Sequence, residues 1–188
     1  MPDTAPLSPG ESEDLLPAGL QTRDEVAALE KKAYLKGRRW ALGHRRTPDR
    51  VLSEPFLREL HQRLFGTIWR SAGVYRRHDQ PGVVNATLIP VAIMSATADA
   101  TSWIAEESYF AREIAARFHH RLIGIHPFAH GNGRWSRLVT DALIVSLHEA
   151  LPTWGVTSGV KPSRSAYGDA LTHADAGDFE ALMRFMWA

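Results

Sequence analysis

Apolar residues return at helical spacing in segment after segment of this 188-residue chain, and that periodicity restricts the fold to packed helices. Val26, Leu29, Ala33 and Trp40 follow Thr22, a residue suited to capping, with Asp24 and Glu25 in the first turn. Ser53, Glu54 and Pro55 open a second segment, in which Phe56, Leu57, Leu60, Leu64 and Phe65 form a broad apolar face. Residues 91–107 have helical composition, and from about Tyr109 onward Ile114, Phe118, Leu122 and Ile125 share one side. Trp135, Leu138, Val139, Ala142, Leu143 and Val145 define another helix ending near Glu149, and two more are expected around 166–174 and 179–187. The period is lost between Tyr75 and Pro90. There a Pro-Gly signal, with Val83-Val84 and Leu88-Ile89 on either side of Asn85-Ala86-Thr87, predicts a short β-hairpin. The expected fold is mainly α, a helical bundle with one short hairpin, in a single domain over residues 21–188.

Composition removes several functions. The 22 Lys and Arg balance 21 Asp and Glu to a net charge of +1, so no broad field draws the chain to nucleic acid or to an anionic membrane. Arg38, Arg39, Arg45 and Arg46 read as a solvated helix end. The absence of cysteine excludes disulfides, thiolate catalysis and Cys-based zinc sites. Pro2, Pro6, Pro9 and Pro17 make residues 1–20 an arm laid over the domain or disordered, with order expected to begin after Gly19. With no basic segment leading into an apolar one and no uninterrupted apolar run of membrane length, a cytoplasmic protein is expected.

The segment HPFAHGNGRWSR, His126 to Arg137, carries the chemistry. Pro127 disfavours helical backbone at His126, so the preceding helix should stop and present the imidazole from a loop. Gly131 and Gly133 permit a sharp turn and close backbone approach just before a helix begins near Arg134, which makes an anion cradle from free N–H groups at a helix N-terminus. Asn132 can add a side-chain donor. Arg134 and Arg137, three residues apart, share a face and can reach further phosphates; pairing of Arg137 with Asp141 one turn on is the plain alternative. His126, with a reference pKa near 6.5, can take a proton from an attacking hydroxyl. Together these residues suit phosphoryl or nucleotidyl transfer. His44, His61, His78, His148 and His173 read as structural, as does His120 unless it steadies His126, and the tryptophans read as core.

The segment resembles the signature of the Fic family, His-Pro-Phe-x-Asp/Glu-Gly-Asn-Gly-Arg-x-x-Arg, at every fixed position except one. FGTIWRSAGVYR, Phe65 to Arg76, resembles the pattern upstream of that signature, and RFHHRLIGIHPF with YGDALTHADAGD resembles a subgroup known as mobile mystery protein B. The resemblance implies that His126 deprotonates a Ser, Thr or Tyr hydroxyl of a target protein and that AMP is transferred to it from ATP. By the same resemblance Gly131, Asn132 and Gly133 bind the α- and β-phosphates, Arg134 and Arg137 bind the β- and γ-phosphates, and Phe128 anchors the loop. The hairpin takes the place of the family's flap, in which Val83, Val84, Asn85, Leu88 and Ile89 would hold the target segment as an added strand.

His130 stands at the family's acidic position, where Asp or Glu would ligate Mg²⁺. Imidazole is a poor magnesium ligand. Three readings follow: His130 meets phosphate directly, it binds Mn²⁺ or another softer metal, or the chain does something else. The alternatives are therefore transfer of UMP or of another nucleotide-derived phosphoryl group, and a catalytically impaired nucleotide- or protein-binding module. A zinc hydrolase reading of His126 and His130 fails because Pro127 prevents the helix that H-E-x-x-H requires. No segment matches the Ser/Thr-x-x-x-Glu-Gly/Asn helix with which many Fic proteins restrain themselves, and Glu30 lacks its Ser or Thr. Inhibition is expected from a separate protein, as in toxin and antitoxin pairs.

Overall fold

The computed structural model describes residues 6–43, 46–156 and 164–188. The readings of His44 and Arg45 lie outside them. Among the described residues the chain is helical: α1 (Pro9–Asp14), α2 (Arg23–Leu42), α3 (Pro48–Val51), α4 (Glu54–Phe65), α5 (Ile89–Ala105), α6 (Ala111–Ile125), α7 (Asn132–Ser146), α8 (Arg164–Asp175) and α9 (Glu180–Met186). The expected caps are in place. The Thr22 hydroxyl accepts from the Glu25 N–H in a full capping box, and Ser53 accepts from the Phe56 N–H with Pro55 in the first turn.

Helix α7 runs through the middle of the bundle, packed by α6, α2, α3 and α4. Its Trp135, Leu138, Val139 and Leu143 are fully buried with Phe56, Leu57, Leu60, Leu64, Phe65 and Phe118 from its neighbours. Burial of this kind, about 25 cal/mol per Å² of apolar surface, holds short helices that would not form alone. A smaller cluster of Ala116, Ala170, Ala174, Leu182 and Met186 joins α8 and α9 to the back of α6.

Two expectations are corrected. Order, expected only after Gly19, is present already from Pro6, where the arm lies over the domain: Ser8 caps α1 in its own capping box and Leu15 is buried against the core. The chain is pinned there by Leu16 N–H to the Ile68 carbonyl (2.8 Å) and Arg70 N–H to the Asp14 carbonyl (2.8 Å). The expected hairpin over 83–89 does not form. Asp79 binds the Asn85 side chain and the Ala86 N–H, Asn85 caps Thr87, and a 3₁₀ turn at Ala86–Leu88 leads straight into α5. Pro90, lacking an N–H, suits the first turn of that helix and could not have donated to a ladder. Only isolated bridges remain among the described residues, at Pro6 with Thr22, Leu15 with Trp69 and Tyr75 with Phe128. Residues 86–105 make one helical stretch of mean hydropathy 1.3, long and apolar enough to span a membrane by composition. Its Ile93, Ala96 and Ala100 are buried in the bundle, while Leu88, Val91 and Met94 face outward.

Gly37 marks the contact of α2 with α4, since a Cβ there would stand 2.5 Å from Leu64 Cδ2 and 3.2 Å from its Cγ. Gly37→Ala gains helix propensity, but the overpacking costs about 1–3 kcal/mol. A net loss of stability in urea unfolding is the expected result.

Burial drives the imidazoles of His61 and His119 down to about 4 and about 3, and it pushes the Asp141 carboxyl up to about 6. Below pH 6.5 the unfolded chain takes up protons on both histidines that the folded chain refuses, so stability falls with falling pH. From pH 6 to about 4 the folded chain holds one extra proton on Asp141, which cancels one of the two. The expected net result from these groups is a stability that falls between pH 6 and 4 by about the equivalent of one proton, on the order of 1 kcal/mol per pH unit, read from urea midpoints.

Candidate active site

His126 ends α6 in the left-handed conformation, φ 49° and ψ 60°, with its N–H still donating to the Leu122 carbonyl at 3.1 Å. Pro127 excludes the helical alternative, so the chain turns there and the ring is presented from the helix end, as expected. Arg76 holds this turn from below. Its guanidinium, almost wholly buried, donates to the carbonyls of His126 (2.8 Å), His78 (2.8 Å), Ile125 (3.4 Å) and Val84. One cation thus satisfies the last carbonyls of α6 and ties them to the 83–89 segment. Partial burial lowers the His126 pKa and the Arg76 charge lowers it further, with a backbone hydrogen bond to Ile123 offsetting part of both. His126 is therefore neutral near pH 7, the state a general base needs.

Behind the loop, Phe128 is fully buried as the anchor expected of it, stacked on His61 at 3.7 Å between ring centroids and set edge-on to Trp135 at 5.0 Å. His61 is itself bolted in place: Nδ1 accepts the Gly73 N–H (2.9 Å) and Nε2 faces the His130 carbonyl (3.0 Å). Asn132 departs from expectation. Its side chain accepts from the Phe128 N–H (3.0 Å) and donates to the Phe128 carbonyl (2.7 Å), so its amide closes the loop and is not available to a ligand. What the position offers is its backbone.

Gly131 precedes α7 with φ 74°, and a Cβ on it would meet the Phe65 ring at 2.4 Å; no other residue fits. At Gly133 a Cβ would meet nothing within 4 Å, so this backbone is open to close approach. No side chain caps α7, which leaves the first N–H groups of a 15-residue helix and its positive dipole end beside His126. Arg134 and Arg137 project from its opening turns. Arg134 is in an ion pair with Glu30 of α2, whose other oxygen accepts from Trp69 Nε1 at 3.0 Å. Glu30 is a buried carboxylate; the sequence sets it aside because the restraining pattern includes a Ser or Thr that α2 does not supply, and the contact with Arg134 arises without one. The plain alternative, a direct pairing of Arg137 with Asp141, is not made: Asp141 accepts from Trp154 Nε1 at 2.8 Å, and the Arg137 guanidinium lies 5.0 Å from the Tyr167 ring and 5.7 Å from that of Trp154.

His130 stacks on Trp69 at 3.8 Å and turns Nε2 to Asp14 of the arm at 3.3 Å. That carboxylate also accepts from the Ser71 N–H (2.9 Å) and hydroxyl (2.5 Å). Burial lowers the His130 pKa, against the pull of Asp14, Glu11 and Glu30. The residues do not fit a divalent cation. No group of three or more His, Cys, Asp or Glu side chains among the described residues is placed to hold one, and Asp14 is fully engaged. In this structure the His130 imidazole meets the arm. Beside it opens a cavity of about 690 Å³ lined by Asp14, Arg70, Tyr75, Arg76, His78 and His130, among others.

Of the flap residues, Ile89 is fully buried as the first residue of α5 and cannot meet a partner. The Val84 N–H donates to the Gly124 carbonyl (3.1 Å) and its carbonyl accepts from Arg76, so its backbone cannot join an added strand. Val83 is half-buried, and Asn85 and Leu88 are exposed. His120 pairs with Asp175 at 2.7 Å, away from His126.

Residues 51–144 match the sequence model of the Fic/DOC family. Protein adenylyltransferase Fic of Culex quinquefasciatus is 31% identical over 141 residues, 69% of this chain and 26% of the relative. Protein adenylyltransferase fic-1 of Caenorhabditis briggsae is 30% identical over 132 residues, 68% of this chain and 25% of the relative. This chain thus spans about a quarter of the length of these curated relatives. The fold is shared with the BepC protein of Bartonella tribocorum, solved with bound AMPPNP, at a TM-score of 0.68 and 16% identity over 89% of this chain and 87% of that one. By the family match, which takes in the histidine, the glycines and both arginines of the α6–α7 turn, the chain belongs to the Fic/DOC family.

Proposed function

We propose that this chain transfers AMP from ATP to a Ser, Thr or Tyr hydroxyl of another protein. The observation that carries the reading is a neutral His126 set at the uncapped N-terminus of α7, with Arg134 and Arg137 on the same helix end. The relatives named protein adenylyltransferase, and the neighbour solved with AMPPNP, support the nucleotide and the protein acceptor. His126 takes the proton of the target hydroxyl as its oxygen attacks the α-phosphorus. The new oxygen–phosphorus bond forms, the bond to the β-phosphate oxygen breaks, and pyrophosphate leaves. The backbone N–H groups at Asn132 and Gly133 and the two guanidiniums hold the phosphates and offset the charge that develops. Val83, Asn85 and Leu88 supply the surface on which the target segment docks. No step is routed through a metal held by the protein.

Labelling a lysate with [α-³²P]ATP, in Mg²⁺ and then in Mn²⁺, tests the reading. Labelled protein that disappears in His126→Ala is expected, with none from [γ-³²P]ATP. Binding of ATP without any label would make the chain a nucleotide-binding module, and label from UTP alone would change the transferred group. Because burial and Arg76 lower the His126 pKa, the rate should fall to half its plateau at a pH below the 6.5 of a free imidazole.

Glu30 occupies the guanidinium that the phosphates require, so restraint within the chain is favoured over a separate antitoxin. Glu30→Gln keeps an acceptor for Trp69 and removes the charge. ATP affinity is expected to rise about tenfold, equivalent to about 1.4 kcal/mol; an unchanged affinity by calorimetry would return the inhibitor to a partner protein.

A further inference from the structure

The two arginines of α7 are held in opposite ways. Arg134 faces a carboxylate that neutralises it. Arg137 faces rings: its guanidinium lies 5.0 Å from the centre of Tyr167 and 5.7 Å from that of Trp154, and its buried Nε has no hydrogen-bond partner. An aromatic face attracts a cation without occupying its N–H donors, and the Tyr167 hydroxyl adds a hydrogen bond with the same guanidinium.

Both rings are themselves fixed. The Trp154 indole donates to Asp141 at 2.8 Å, so this carboxylate, one turn along α7, acts on Arg137 through its charge and not through a direct hydrogen bond. The Trp154 backbone is left-handed, φ 55°, and its N–H and that of Thr153 donate to the Met186 carbonyl of α9 at 3.0 and 2.8 Å. A bulky residue in that conformation persists only where its surroundings impose it. The Tyr167 hydroxyl lies 2.7 Å from His119 Nε2, and His119 Nδ1 lies 3.2 Å from the Thr140 hydroxyl, a chain of polar groups buried between α6, α7 and α8. Phe185 of α9 packs on the other side of Tyr167 at 5.4 Å.

We propose that Trp154 and Tyr167 are positioning residues that hold the Arg137 guanidinium pre-oriented for the outer phosphates of the nucleotide. Both lie beyond residues 51–144, the part that matches the family, so α8, α9 and the segment before them complete the phosphate site from outside the matched region. The inference rests on the proposed nucleotide role of Arg137. Fixing a long side chain before the ligand arrives removes an ordering cost that binding would otherwise carry.

Calorimetry with ATP and with AMP, each in Mg²⁺, separates positioning from a general loss of structure, because AMP lacks the phosphates that Arg137 would reach. In Trp154→Leu the ATP affinity should fall about tenfold while that for AMP is unchanged. Trp154→Phe, which keeps an aromatic face, should recover part of the loss, and in an Arg137→Ala background Trp154→Leu should have no further effect. Parallel losses for ATP and AMP, no loss at all, or additive losses would overturn the proposal. A second measurement needs no nucleotide: ¹⁵Nε relaxation of Arg137, assigned by its absence in Arg137→Lys, should report a rigid group in the unaltered chain and a mobile one in Trp154→Leu. A mobile Arg137 in the unaltered chain would overturn the shell alone. A rigid Arg137 in a chain that binds no ATP would instead overturn the nucleotide role on which the shell is built.

Discussion

Everything at the α6–α7 turn depends on the two hydrogen bonds between Asn132 and the backbone of Phe128. They close a loop of few residues around a buried ring and so convert the packing of Phe128 against His61 and Trp135 into a fixed path for the backbone. With that path set, His126 must leave α6 in a left-handed turn and Gly131 must enter α7 in another. The base and the anion-binding helix end are thereby held at one place by interactions that lie underneath it.

The electrostatics follow from the same layout. The end of one helix and the beginning of the next converge, so carbonyls with partial negative charge and N–H groups with partial positive charge meet within a single turn. Arg76 answers the carbonyls from below, and its charge adds to the burial that keeps His126 neutral. Nothing answers the N–H groups from the side chains of the loop, and in this chain the nearest compensation is a carboxylate, Glu30, that sits on Arg134. The arm adds a second acidic contact at His130, where a stacked imidazole accepts the neighbour that an acidic residue at that position would repel.

Most of the architecture was legible because helices advertise themselves by period: α2, α4, α6 and α7 lie within a few residues of where the apolar spacing and the caps place them. Pro127 likewise announced the break at His126, and the two glycines the turn that follows. The failures have physical causes. The Val and Ile pairs around Asn85 have strand propensity, but Asp79 reaches across to them and captures the local backbone, a contact that no pattern within the segment predicts. In the arm the capping box of Ser8 and Glu11 lies among prolines that argue against a helix, so α1 is not evident from composition. Asn132 shows the limit for site residues: its spacing identifies the turn it belongs to, while whether its amide faces a ligand or its own loop is decided only by packing. Glu30, Trp154 and Tyr167 reach the α7 end from remote parts of the chain, and nothing local connects them to it.

Arg76 grips the carbonyl of Val84 and the carbonyl of His126 with one rigid fork. A planar cation cannot follow two acceptors that move apart, so the rim of the cleft and its base behave as one mechanical part. Diversification of what is recognised at that rim is consequently confined to outward-facing side chains such as Leu88, because any change in the course of the main chain would be felt at the imidazole.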